Sequence, residues 1–102
     1  MKYQLVLQWP ASSVDDYDSI ISIEDSLIEE LPSNSEVDGH DAGAGQMNIF
    51  IRTDEPTETF EDVKNILEGD DALTDIRIAY RDLERNEYVV LWPKDLKEFD
   101  IL

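Results

Sequence analysis

The chain has 102 residues, 41% of them hydrophobic, which predicts a single domain spanning residues 1–102 with a core of its own. Its 25 Asp and Glu residues against 8 Lys and Arg give a net charge of −17, which argues against direct binding to nucleic acid or to an anionic membrane, because both select basic surfaces. The chain has no cysteine, which excludes disulfides, thiolate metal sites and cysteine nucleophiles.

The amino-terminal segment MKYQLVLQWP does not resemble a secretory signal, because its apolar run is short and soon reaches Pro10. No stretch approaches the roughly 20 consecutive apolar residues that a membrane-spanning helix needs. A chain without cysteine is also compatible with a reducing compartment. We therefore expect a soluble, cytoplasmic protein.

The first part of the chain predicts a strand and a helix. From Lys2 to Trp9 apolar side chains recur at every second position, which predicts a strand that ends at Pro10. A helix follows, capped by Ser12 or Ser13, with acidic residues in its favourable first turn. Its apolar side chains cover about half of the helical wheel and are expected to face the core. They are Val14, Tyr17, Ile20, Ile21, Ile23, Leu27, Ile28 and Leu31.

Glu24 interrupts this pattern, because it projects into the apolar half of the wheel. One interpretation is a buried functional acid, since environments that perturb carboxyl groups gather at functional sites. The other places Glu24 at a helix edge, at a local bend, or with its carboxylate reaching water along its aliphatic stem. The second interpretation is favoured.

The rest of the chain predicts four strands and one helix. Residues Glu36–Ile51, EVDGHDAGAGQMNIFI, indicate a weak strand, a glycine-rich turn at AGAG and a clear second strand. A helix starts with Pro56 in its first turn and ends before Gly69, which is typical of a helix cap. Two more strands lie within DIRIAYRDL and from Tyr88 to Trp92. Because VLQWP and VLWP each end a strand in Trp-Pro, the two tryptophans are expected to close the rim of the core rather than form a binding platform.

The predicted order β-α-β-β-α-β-β is typical of the α+β class, as a two-layer ferredoxin-like sandwich with two helices on one face of a mostly antiparallel sheet. The other face is open and partly apolar, so we expect it to bind a partner, form a dimer or be covered by the tail through Leu96 and Phe99. The residues expected on this face are Gln4, Val6, Gln8, Asn48, Phe50, Arg52, Arg77, Ala79 and Arg81.

His40, the only histidine, would need carboxylates such as Asp38 and Asp41 to form a zinc site. In a regular strand Asp38 and His40 share one face, which supplies two ligands at best, and the DGHD spacing matches neither zinc nor calcium patterns. The glycines that follow lie between two strands, so they do not form a dinucleotide fingerprint. The sequence therefore predicts no metal and no cofactor. Two interpretations of His40 stay open, a general base and a hydrogen-bonded turn residue.

The segments VLQWP, EVDGHDAGAGQMNIFI and VLWPKDL resemble those of a family of small acidic bacterial proteins. In size, acidity and two-layer α/β shape, the chain also resembles the immunity proteins of contact-dependent inhibition and related polymorphic toxin systems. That resemblance implies a cytoplasmic protein without catalytic activity that neutralises a toxin domain, often a basic nuclease, by binding it. It is one of type rather than of motif, so it assigns a role to no residue.

The charge distribution favours the same function. Between Lys2 and Arg52 there is no Lys or Arg, whereas ten acidic residues fall in that stretch, and such a field attracts a basic partner. The first alternative is a small enzyme or ligand-binding domain that uses the His40 hairpin. The second is an acidic mimic of nucleic acid that occupies the basic groove of another protein. The candidate contacts for a basic protein partner are Asp15, Asp18, Asp25, Glu29 and Glu30 on the first helix and Asp38 and Asp41 in the turn.

Overall fold

The computed structural model of the protein describes residues 1–10, 14–43, 45–68, 75–96 and 99, with residues 14–17 described by their helical backbone alone. These residues form two helices and five strands in the order that the sequence predicts. The predicted caps at Ser12, Ser13 and Gly69 lie outside the described residues. The elements are β1 (Tyr3–Pro10), α1 (Val14–Glu30), β2 (Ser35–Gly43), β3 (Gln46–Thr53), α2 (Pro56–Leu67), β4 (Arg77–Asp82) and β5 (Val89–Trp92).

The central strand of the sheet is β1, which is paired on both sides. The strand order is β2-β3-β1-β4-β5, and every neighbouring pair is antiparallel. Helix α1 connects β1 to β2 with β3 between them, and α2 connects β3 to β4 with β1 between them. Both helices pack against the same side of the strands, hereafter the helix-covered face. The predicted α+β class, with two helices and an antiparallel sheet, is therefore confirmed.

The main core lies between the helices and this face of the sheet. Leu5 and Leu7 of β1 are fully buried, as are their cross-strand neighbours Ile51 and Ile49. These side chains share a face because strand residues alternate between the two sides of the sheet. They meet apolar residues from both helices, namely Ile20, Leu27, Phe60, Val63 and Leu67. Burial of one such aliphatic side chain contributes about 1.5–3 kcal/mol, so this layer supplies most of the stabilisation.

The opposite side, hereafter the open face, is covered at its centre by the carboxy-terminal tail. Val6 and Ala79 are fully buried there under Phe99, which is itself 7% exposed. The ring of Tyr88 lies 5.0 Å from that of Phe99, measured between centroids, and Leu96 packs against the same cluster. Of the three predictions for this face, cover by the tail is the one that the described residues show.

Two polar residues of the open face are also buried. Gln8 and Asn48 are 3% and 2% exposed. The Gln8 side-chain amide donates to Asn48 Oδ1 at 3.1 Å and to Gln46 Oε1 at 3.3 Å. These bonds compensate for the loss of water, because a buried amide without partners is costly.

Both tryptophans pack against the main core, as the sequence predicts. Trp9 is 8% exposed and belongs to the core, and Trp92 of β5 is a half-buried neighbour of it. The Nζ atom of Lys64 lies 4.7 Å from the ring centroid of Phe60 and 5.5 Å from that of Trp92. These cation–π contacts join α2 to the β5 edge of the sheet.

Candidate functional site

The second strand contains a β-bulge that decides where its side chains point. In the pairing with β3, Val37 lies opposite Ile51 and Gly39 lies opposite Phe50, so Asp38 is an extra residue without a partner in the ladder. Gly39 has a φ of +123°, a conformation that residues with a Cβ rarely adopt. The turn was predicted at AGAG, and β2 extends into that segment as far as Gly43 before β3 begins at Gln46. Gly39 lies earlier, in the predicted weak strand, and supplies the backbone freedom that the bulge needs.

The bulge places Asp38 and His40 on different sides of the sheet, so the shared face that a regular strand would give them is not formed. The extra residue brings His40 opposite Ile49, a residue of the helix-covered face. On the open face, Arg52 Nε donates to the Asp38 carboxylate at 3.1 Å. Within the part of the chain that the structure describes, no three His, Asp or Glu side chains are grouped in a way that could hold a metal ion.

His40 forms a pair with Glu24 of α1. Its Nδ1 atom lies 3.0 and 3.1 Å from the two carboxylate oxygens of Glu24. The Glu24 side chain is only 12% exposed and that of His40 is 26% exposed. A carboxylate so far removed from water needs a compensating partner, and His40 supplies it. Of the positions predicted for Glu24, a carboxylate that reaches water along its stem is contradicted by this burial, whereas a place at the edge of the buried arc agrees with its contact with the edge strand β2.

This pair explains two irregularities of the sequence together. An acid in the apolar half of α1 and the only histidine of the chain are separated by 16 residues, and they meet across the edge of the sheet. The sequence signal for the pair is present, because both residues break the apolar pattern of neighbouring elements. Their contact also requires the bulge, which the sequence analysis did not predict.

The acidic residues of α1 are exposed, as expected for partner contacts. Asp18, Asp25, Glu29 and Glu30 all lie at the surface. At 100° per residue, the first three share one stripe along the helix. None of the four forms an ion pair with another described residue. The side chain of Asp15 lies outside the described part of the chain.

The two acids predicted in the turn do not continue that stripe. Asp41 is exposed and lies opposite Asn48, a residue of the open face. Asp38 is also turned to the open face, and its charge is paired with that of Arg52. The seven candidate contacts therefore divide into a helical group and a group on the other side of β2, and the helical group has the stronger uncompensated charge.

An exposed isoleucine beside this stripe was not foreseen. Ile28 was predicted to lie on the buried arc of α1, but the residue is 59% exposed. Ile28 follows Glu24 by one helical turn, so both point towards β2 at the edge of the sheet. There Glu24 meets His40, whereas Ile28 borders a groove of about 270 Å³. The groove is lined by Leu27, Ile28, Leu31, Ser35, Glu36 and Val37.

No family model matches the sequence, and no curated protein and no solved structure is significantly similar to it. Among the described residues, no helix is long and apolar enough to cross a membrane.

Proposed function

We propose that the protein is a non-catalytic, cytoplasmic protein-binding domain of bacterial origin, an immunity protein that neutralises a cognate basic toxin by covering it with an acidic surface. The observation that carries this proposal is the exposed stripe of Asp18, Asp25 and Glu29 on α1, which no described cation neutralises. Uncompensated surface charge accelerates association with a partner of opposite charge and fixes the orientation of the encounter.

The distribution of cations supports the same conclusion. All eight Lys and Arg residues of the chain lie outside the span from Tyr3 to Ile51, which includes the whole of α1 and β2. Arg52 is engaged by Asp38, and Lys64 lies 3.5 Å from Glu61. The negative charges of α1 and β2 are therefore not neutralised by any Lys or Arg within the same segment of the chain.

The proposal is tested with the product of the neighbouring gene, where a large toxin is expected. Binding of its carboxy-terminal domain would be measured by biolayer interferometry at two salt concentrations. We expect nanomolar binding whose association rate falls with salt, and rescue of cells that express the toxin. A basic domain that neither binds nor is neutralised would refute the proposal.

A charge-matched pair of variants locates the interaction. The triple variant Asp18→Lys, Asp25→Lys, Glu29→Lys changes the net charge by the same amount as Glu68→Lys, Glu84→Lys, Glu87→Lys. All six residues are exposed, so both variants are expected to fold. The first should slow association by about tenfold or more, and the second should have a much smaller effect. Equal effects would show that net charge alone, rather than α1, drives binding.

The pair of Glu24 and His40 favours a second candidate function, a small enzyme or ligand-binding domain. A carboxylate that orients an imidazole is a recurring arrangement for a general base. In this case His40→Ala should abolish activity or stabilisation by a ligand and leave the fold intact. A thermal-shift screen against metals and metabolites checks this, because identical flat responses of the wild type and the variant would exclude it.

We also propose that the fold is ferredoxin-like with one added strand. Support comes from the order β2-β3-β1-β4, in which each helix joins two strands across a third. That arrangement corresponds to two interleaved split βαβ units. Strand β5 then extends the sheet beyond β4.

A further inference from the structure

The groove beside Ile28 has walls that are fixed by hydrogen bonds. At the end of α1, the Leu31 amide donates to the Leu27 carbonyl at 3.0 Å. In the connection to β2, both the backbone amide and the hydroxyl of Ser35 donate to the Pro32 carbonyl, each at 3.2 Å. These bonds fix the last turn of α1 and the connection that leads into β2, and residues of both segments line the groove.

The floor and the rim of the groove differ in chemistry. Leu27 is fully buried below it, and Leu31 and Val37 are half-buried at its sides. Glu36 lines the groove itself, and Glu29 immediately follows Ile28 on the helix. An apolar groove with acidic residues at its border is compatible with a protein–protein interface, in which an apolar core lies inside a polar rim.

Exposure alone does not mark Ile28, since single apolar residues are common on protein surfaces. Val89 of β5 and Met1 are also large, apolar and exposed among the described residues, each at 49%. Ile28 differs from Val89 because it borders a groove and stands in the span without Lys or Arg. The volume of about 270 Å³ falls below the roughly 300–1,000 Å³ of small-molecule sites, which favours a single side chain over a metabolite.

We propose that this groove is the anchor site of the interface, and that it receives one aliphatic side chain that is flanked by Lys or Arg on a partner protein. The inference rests on the proposed function and deepens it, because it names the contact that holds the basic partner after the charges have attracted it. Charge complementarity identifies the occupant. An apolar side chain between cations would pack in the groove while the cations attract the acids at its border. The same side chain between acids would be repelled by them.

The two parts of the site have different kinetic roles. Charges at a rim mainly change association rates and their salt dependence. A buried apolar anchor at the centre mainly changes the dissociation rate. The acidic stripe of α1 should therefore control how fast the partner arrives, and Ile28 should control how long it stays.

Three pentapeptides separate these contributions in a titration of the isotope-labelled full chain followed by NMR. The probe has a central leucine between two pairs of lysines. One control replaces the leucine with serine, and the other replaces the lysines with glutamates. We expect saturable shifts of the backbone amides of residues 27–31 and 35–37 with the probe only. The same shifts with the serine peptide, or no saturable shift with the probe at millimolar concentration, would overturn the proposal.

Matched substitutions connect this result to the partner. Ile28→Ser and Val89→Ser each change one exposed aliphatic residue, so both variants are expected to fold. Ile28→Ser should weaken binding of the leucine probe and accelerate dissociation of the toxin domain by about tenfold or more, whereas Val89→Ser should change neither. Tight toxin binding that is insensitive to Ile28→Ser would refute the groove and leave the proposed function intact. A groove that binds the probe in a protein that neutralises no toxin would refute the function instead.

Discussion

The two faces of the sheet are closed by different kinds of structure. On the helix-covered face, two helices bury a continuous layer of aliphatic side chains from the three strands β1, β3 and β4. On the open face, one aromatic residue of the tail covers a small cluster around Val6 and Ala79. The first face requires long amphipathic elements, whereas the second requires only a short segment that reaches across the sheet. Loss of one side chain should therefore have different consequences on the two faces.

Removal of one buried side chain from each face should destabilise the protein by different amounts. Leu7→Ala should lower the free energy of unfolding by about 2–5 kcal/mol, because it leaves a cavity in the helix-covered layer. Phe99→Ala should cost less, about 1.5–3 kcal/mol, because the tail can detach without disturbing the helices. Urea denaturation measures both values. Hydrogen exchange provides the control, since Phe99→Ala should expose the amides around Val6 and Ala79 and leave α1 and α2 protected. Uniform loss of protection would contradict the comparison.

Strand β2 contributes side chains to both faces, and its bulge determines which of them point to which face. Gly39→Val forces a β-branched residue to a φ of +123° and should destabilise the protein by about 1–3 kcal/mol. It should also move the His40 ring away from Glu24, which is visible in the NMR chemical shifts of the imidazole. Gly43→Val is the control, because Gly43 lies in the same strand with open space around its Cβ position and no positive φ. Equal destabilisation by both would show that the bulge does not depend on Gly39.

The sequence predicts the elements of this fold well, because their signals are local. Alternation in β1 and the apolar stripe of α2 depend on spacing within one segment, and both elements form as predicted. The bulge is different, since EVDGHD predicts a weak strand without indicating whether that strand is regular or contains an extra residue. Only the register of β2 against β3 shows the extra residue, and that register depends on a second strand.

In the candidate site, too, the features that depend on one segment were predicted and those that depend on a neighbouring strand were not. The exposure of Asp18, Asp25 and Glu29 follows from the helical period and was predicted. The exposure of Ile28 was not, because the width of the buried arc depends on how far α1 extends over the edge of the sheet. Periodicity gives the side of the helix that faces the core, but the neighbouring strand determines where that side ends.

The two side-chain pairs of β2 provide a smaller test of the same contrast, beginning with the part-buried pair of Glu24 and His40. His40→Leu should lower the free energy of unfolding by about 1–3 kcal/mol, because it leaves the Glu24 carboxylate without this partner in a poorly hydrated position. The double variant Glu24→Leu, His40→Leu should recover most of that loss, since both polar groups are then removed together. A double-mutant cycle from urea denaturation measures the coupling. A double variant less stable than His40→Leu would exclude this interpretation.

The exposed pair on the other side of β2 should have the smallest effect. The side chains of Arg52 and Asp38 are 49% and 38% exposed, so water and salt screen their attraction. Arg52→Ala should therefore change the free energy of unfolding by about 0.2–1 kcal/mol, and the difference should vanish at roughly 1 M salt. The effect of His40→Leu should persist under the same conditions, because desolvation of Glu24 rather than screened attraction causes it. An equal salt dependence of the two variants would show that the Glu24–His40 and Asp38–Arg52 pairs are equally solvated. The difference in burial between the two faces would then not apply to β2.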